Sequence, residues 1–137
     1  MLGLDVGTVR IGVALSDPLG YTAQPLEVIE RKRTPPFARV AALVAEYEVT
    51  EIVVGLPLRL DGTEGPAVES VRAFTKELLA SVTVPVVFWD ERLSTAQAER
   101  LMISGGARRE ERRAGIDRVA AALILQSFLD ARGRKSS

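Results

Sequence analysis

The sequence predicts an α/β domain on a mixed five-stranded central sheet, an antiparallel meander joined to parallel strands, with helices on both faces. Three observations predict it. The first 30 residues hold three β-type runs spaced too closely for a crossover helix, so they form a meander. Beyond them strand-like and helix-like segments alternate, which sets the later strands parallel to the first. Two of those later runs, EIVVGLP and VPVVFWDE, are almost continuously apolar, as in strands covered on both faces.

The elements follow in order. LGLDV is a short apolar strand closed by the turn-like GTVR. IGVALSD is a second strand, and AQPLEVIE a third after the turn signal DPLG. RKRTPPF breaks the pattern, with two prolines placed to start a helix. RVAALVAEYE then carries Val40, Leu43, Val44 and Tyr47 at helical spacing. After EIVVGLP comes the turn-rich loop LRLDGTEGP. PAVESVRAFTKELLAS repeats Val68, Val71, Phe74, Leu78 and Leu79 along one helical face. VPVVFWDE is followed by a helix whose start is marked by Ser94 and Gln97, a capping box. GGARREERR is glycine-rich and charged and reads as a mobile loop. GIDRVAAALILQSFLDA is a helix apolar around most of its circumference, and so expected to be buried. No repeat or linker interrupts the chain, so residues 1–131 are expected as one domain and residues 132–137 as a disordered tail.

Composition narrows the chemistry. Of 137 residues none is cysteine, which excludes disulfides, thiolate nucleophiles and thiolate zinc sites. None is histidine either, which removes the commonest general base and the commonest ligand of zinc and copper. Carboxylates remain, and these favour hard cations such as Mg²⁺ or Mn²⁺. Eighteen basic and eighteen acidic residues balance, so total charge does not argue for a polyanionic partner. The basic residues are mostly arginine, suited to bidentate phosphate contacts. No apolar run reaches the roughly 20 residues that span a membrane, and MLGLDVG lacks the features of a signal peptide. A cytoplasmic protein without membrane contact is therefore expected.

Asp5 sits inside LGLDV, in what should be a central strand. An unpaired buried carboxylate costs several kcal/mol, so it needs a cation, donors or a proton. The alternative is a turn aspartate bonded to the amides of Gly7 or Thr8. Glu91 ends VPVVFWDE and should emerge at the same carboxyl edge as Asp5, where open α/β sheets place ligands. By strand alternation its neighbour Asp90 points to the other face, so Glu91 is preferred. The innocent explanations of Glu91 are pairing with Arg92 or a favourable place at the N-terminus of the following helix. Asp117 lies near the expected start of the last helix, where an acidic residue also suits the helix dipole. The small residues Ala120, Ala121 and Ala122 would let that helix pack closely on the sheet and bring Asp117 to the strand of Asp5. Three clustered carboxylates would bind Mg²⁺ or Mn²⁺, and metal-assisted phosphodiester hydrolysis requires neither histidine nor cysteine. Arg10 could clamp a phosphate. Two basic stretches, Arg31 to Arg39 and Ala107 to Arg113, could hold a polyanion, the second through Arg108, Arg109, Arg112 and Arg113. Tyr21, Phe37 and Trp89 could stack on bases, but core packing is the better reading of such scattered aromatics.

LGLDVGTVRIGVALSD, VVGLPLRLDGTEG, WDERLSTAQAER and GIDRVAAALILQSFL, in this order, resemble the YqgF/RuvX family from Leu2 to about Leu129. The resemblance implies an RNase H-like fold and a metal-dependent nuclease. Its substrate would be structured RNA, as in maturation of pre-16S ribosomal RNA, or branched DNA at a Holliday junction. A junction-cutting enzyme is further expected to be a two-fold homodimer. The family's acidic positions fall on Asp5, Glu91 and Asp117, and its glycines and arginine on Gly7, Arg10, Gly12 and the Gly55-Leu56-Pro57 turn. Arg59 departs from the pattern, where a small polar residue is expected. Two other classes compete. LDVGTVRIGVAL also resembles the first phosphate hairpin of the sugar kinase and actin superfamily, but that fold needs a second lobe. A non-catalytic nucleic-acid-binding factor would keep the geometry without turnover.

Overall fold

The computed structural model describes residues 1–96 and 110–136, and the side chains of all of these except 110–116 and 134–136. Five strands form one sheet in the order β3-β2-β1-β4-β5. β1 (Leu2–Val6), β2 (Arg10–Ser16) and β3 (Ala23–Glu30) make the antiparallel meander. β4 (Ile52–Leu56) and β5 (Val86–Asp90) run parallel to β1. The mixed sheet expected from the sequence is therefore the sheet observed, with β1 at its centre. Its three parallel strands end at one edge, where the loops after β1, β4 and β5 emerge.

Alternation along the strands sorts the two faces. Leu2, Leu4, Ile11 and Val13 point to one side and pack against α1 (Pro36–Glu46) and α2 (Pro66–Leu78). Ala14 and Val53 point to the other and pack under α3 (Glu110–Ser136) through Ala120, Ala121, Ile124 and Leu125. Both α1 and α2 open with proline in the first turn, where the missing N–H has no intrahelical partner to lose. Phe37 of α1 stacks on Phe74 of α2 at 4.8 Å, closing that layer.

Several elements differ from the sequence reading. VVFWD, expected to be covered on both faces, is the edge strand β5 and is only half-buried. Its Phe88 lies under the Arg72 guanidinium at 5.2 Å instead of under a second helix. Tyr47 and Leu79 have helical spacing but sit at the C-caps of α1 and α2, where the apolar face has turned toward solvent. The last helix begins at Glu110, so the charged residues 110–113 are helical rather than a mobile loop; residues 105–109 lie outside the described residues. At its other end α3 continues through residues 132–136, the expected tail. Arg132 anchors it there, pairing with Glu51 at 3.0 Å and lying over the Phe128 ring. The helix expected after Ser94 falls almost wholly on residues outside the described ones. Ser94 Oγ accepts from the Ala96 amide at 3.2 Å, and Gln97, the other half of the expected capping box, lies outside the described residues.

The end of α1 supplies a first expected result. Glu48 takes a left-handed conformation, φ 51°, while the Val49 amide reaches back to the Val44 carbonyl at 2.9 Å. This is the position that glycine favours after a helix, because a Cβ crowds the backbone there. Glu48→Gly should therefore stabilise the fold by about 0.5–1 kcal/mol. Urea unfolding checks it: the midpoint should rise with no change in slope.

Candidate active site

Asp5 is 8% exposed and lies inside the β1–β2 ladder, opposite Gly12. It is not held as a turn residue by the Gly7 amide, which donates to the Arg10 carbonyl at 2.9 Å across the hairpin. By alternation Asp5 shares the α3 face with Gly3, and Gly12 shares it with Ala14.

Glycines set how close α3 comes. A Cβ on Gly3 would stand 2.8 Å from Leu125 Cβ and 3.3 Å from the Ala121 carbonyl. A Cβ on Gly12 would overlap the carbonyl of Asp117. The backbone of Asp117 therefore rests directly on the strand position paired with Asp5. Ala121 contributes to this approach as expected, but bare backbone on β1 and β2 makes it possible. Glycine inside a strand often signals such a contact, a signal that Gly3 and Gly12 both carry in the sequence.

Asp117 itself lies seven residues inside α3, two turns from its first residue. The helix dipole acts only within the first turn, so it does not account for an aspartate at this position. The side chain is half-buried.

Glu91 reaches the same face from the other side of β1. It follows β5 in a short 3-10 turn, Glu91–Leu93, and is 1% exposed. Its carboxylate lies over Gly55 of β4: a Cβ on Gly55 would stand 2.8 Å from Glu91 Oε1 and 2.7 Å from Ile124 Cδ1. β4 pairs with β1 through Leu4 and Val54, and one further step of that register sets Gly55 beside Asp5. Glu91 and Asp5 thus approach each other across a strand position left open by glycine.

Asp90 does different work. It accepts from the Arg92 amide at 2.9 Å and from the Arg92 guanidinium at 2.7 Å, capping the 3-10 turn. The Arg92 side chain holds the Asp90 carboxyl below the usual carboxylate range. Arg92 therefore pairs with Asp90, so the ion pair offered as one explanation of Glu91 belongs to its neighbour. On the α3 side a hydrogen-bonded chain ties this segment down. Trp89 Nε1 donates to Ser127 Oγ at 3.0 Å, and Ser127 donates to the Leu93 carbonyl at 2.9 Å.

The basic residues separate into groups. Arg10 opens β2 on the face of Gly12 and Asp5, and its Nε donates to Glu30 at 2.9 Å. That ion pair ties the start of β2 to the end of β3. Arg39 is engaged by Glu27, and Arg31 donates to the Gly7 carbonyl at 2.8 Å, so much of the Arg31 to Arg39 stretch holds the fold together. Arg108 and Arg109 lie outside the described residues. Arg112 and Arg113 lie on α3 about one turn before Asp117, with side chains outside the described ones. Arg59 covers Gly65 at the start of α2, an exposed packing role. Of the aromatic residues, Phe37 and Trp89 are packed against rings, whereas Tyr21 is exposed at the opposite edge of the sheet.

Carboxylate oxygens without histidine or cysteine form a donor set suited to Mg²⁺ or Mn²⁺. Among the described residues no group of three or more acidic side chains is placed so that it could hold a metal ion. The pair Asp5 and Glu91, buried on one face beside a glycine opening, is the part of the site that fits a cation.

Comparison with known proteins identifies the family and the fold. A profile of the RuvX family, described as Holliday junction resolvase, matches residues 1–131. A relative from Pelotomaculum thermopropionicum named "Putative pre-16S rRNA nuclease" is 50% identical over 136 residues, covering 98% of this chain and 88% of the relative. One of the same name from Listeria monocytogenes is 48% identical over 133 residues, covering 95% and 96%. Among solved structures, Thermus thermophilus RuvC in complex with a Holliday junction substrate superimposes with a TM-score of 0.59 at 19% identity. That match covers 96% of this chain and 94% of RuvC, and it establishes a shared RNase H-like fold.

Proposed function

Since this chain belongs to the RuvX family, we propose that it is a divalent-metal-dependent nuclease that matures the 5′ end of pre-16S ribosomal RNA in the cytoplasm. The observation that carries the reading is the convergence of Asp5, Glu91 and the Asp117 segment on one sheet face at the carboxyl edge of the parallel strands.

Asp5 and Glu91 would hold the cation, with Asp117 as a third carboxylate on the same face. When bound, the cation supplies neutralisation of the clustered charge and an acidified water for attack on phosphorus. The remaining work belongs to the chain. Glu91 and Asp5 lie out of bulk water, where electrostatic interactions are strong. Arg10, paired with Glu30 on the sheet face of Gly12 and Asp5, would contact a phosphate there. Arg108, Arg109, Arg112 and Arg113, leading into Asp117, would draw the nucleic-acid backbone toward the site.

The family description favours a second reading, in which the substrate is a four-way DNA junction cut by a two-fold dimer. One experiment separates the two. Purified protein is offered labelled precursor ribosomal RNA and a four-way DNA junction in parallel, with Mg²⁺, Mn²⁺ or EDTA. The proposal expects cleavage of the RNA that EDTA abolishes. Cleavage of the junction alone moves the substrate to DNA. If neither is cut and EDTA leaves binding and stability unchanged, the nuclease reading is wrong.

A further inference from the structure

Most large apolar side chains are buried, yet two exposed leucines stand at the carboxylate edge of the sheet. Leu60 is 85% exposed and Leu93 is 62% exposed. Scattered surface leucines need no explanation by themselves. These two are held in place.

Leu60 is at the tip of a tight turn in which the Gly62 amide donates to the Arg59 carbonyl at 2.8 Å. Gly62 has φ 90°, a conformation that favours glycine. The Arg59 amide closes the loop on the Thr63 carbonyl at 3.0 Å. The Asp61 carboxylate accepts from both the amide and the hydroxyl of Thr63, at 2.9 and 2.6 Å. A turn so heavily bonded presents its tip rigidly.

Arg92 joins the turn to the other leucine. Its guanidinium, pinned by Asp90, donates to the Leu60 carbonyl at 3.5 Å and packs on Gly62. Arg92 is flanked in the chain by Glu91 and Leu93. One arginine therefore ties an apolar tip, a second exposed leucine and a candidate metal ligand into one assembly. Val9, half-exposed at the tip of the β1–β2 hairpin, stands on the same edge.

Apolar side chains gain nothing from phosphate, but they match the faces of nucleobases. Bases offer those faces only where stacking is interrupted, and inserted leucines are a known way to hold such a step open. We propose that Leu60 and Leu93 pack against an unstacked base next to the scissile phosphate, so that the enzyme selects nucleic acid at a boundary between paired and unpaired strand. This rests on the nuclease reading and specifies the substrate feature that the site would select.

The test uses Asp5→Asn protein, which keeps the leucines and removes cleavage. The probe is an RNA hairpin with a single-stranded 5′ extension and 2-aminopurine at the boundary. Binding should raise the fluorescence of the probe as the base unstacks. Adding Leu60→Ala and Leu93→Ala together should remove most of that rise and weaken binding about tenfold, the scale of one leucine buried on binding. Both side chains are exposed, so the variants should unfold at the same temperature as their parent. Leu19, 77% exposed at the opposite edge, is the control: Leu19→Ala should change neither reading. The proposal is overturned if the parent fails to bind the hairpin, if the double variant matches the parent, or if Leu19→Ala is equally impaired. If the parent binds and unstacks the probe while wild-type protein cleaves no nucleic acid, the leucine assignment stands and the nuclease reading fails.

Discussion

Asp5→Asn is expected to lower metal-dependent cleavage by about 10³-fold or more, because it removes a charged ligand while leaving the shape of the site intact. Two further readouts tie that loss to the metal. Without metal the variant should still unfold in a single cooperative transition, since asparagine keeps the size and polar character of the side chain. Stabilisation by metal should then fall. A cation that binds only the folded state adds about 2.7 kcal/mol at a hundred times its dissociation constant. Wild-type protein should therefore melt at a higher temperature in millimolar Mg²⁺ or Mn²⁺, and the variant should gain much less. Retained cleavage, or an equal thermal gain in both proteins, would remove Asp5 from the site. Nucleic-acid binding should largely survive, because the phosphate contacts are assigned to arginines.

The second large effect involves no charge. Gly12→Ala places a methyl group where the Asp117 carbonyl now sits, and that obstacle is backbone that no rotamer change can clear. Helix α3 must lift or shift along the sheet, and the expected loss is about 3 kcal/mol, at the upper end for overpacking. Cleavage should fall even under conditions where the variant is fully folded, because Asp117 moves away from Asp5. Gly133→Ala provides the contrast. Gly133 lies in the same helix with nothing within 4 Å of its would-be Cβ, so alanine there should add about 0.5–1 kcal/mol. Urea titrations of the two variants would measure both signs. A Gly12→Ala protein as stable and active as wild type would refute the close seat of α3 on β2.

Asp5 was the most legible of the three acidic positions, because a carboxylate within an apolar strand has few innocent explanations. Glu91 followed from alternation, which turns Asp90 to the other face, and the structure gives Asp90 its own work as a cap. Asp117 was harder to read. Charged residues 110–113 resemble a loop, so the helix seemed to start near Asp117 and the helix dipole seemed to explain it. The observed start at Glu110 removes that explanation. Arg10 was legible as a basic residue near the site, but not as one oriented by Glu30, its partner on a neighbouring strand.

Local chemistry determined what the sequence could declare by itself. The absence of histidine and cysteine set the donor chemistry, and residue periodicities of two and near four set the strands, most helices and the parallel edge. Tertiary structure alone decided which of β4 and β5 became the exposed edge, and how near the carboxylates lie. It also decided that bare backbone at Gly12 and Gly55 receives Asp117 and Glu91. Those contacts join residues 36 to 105 positions apart in the chain. Periodicity reports the face a residue occupies, whereas proximity across that face depends on how the layers pack.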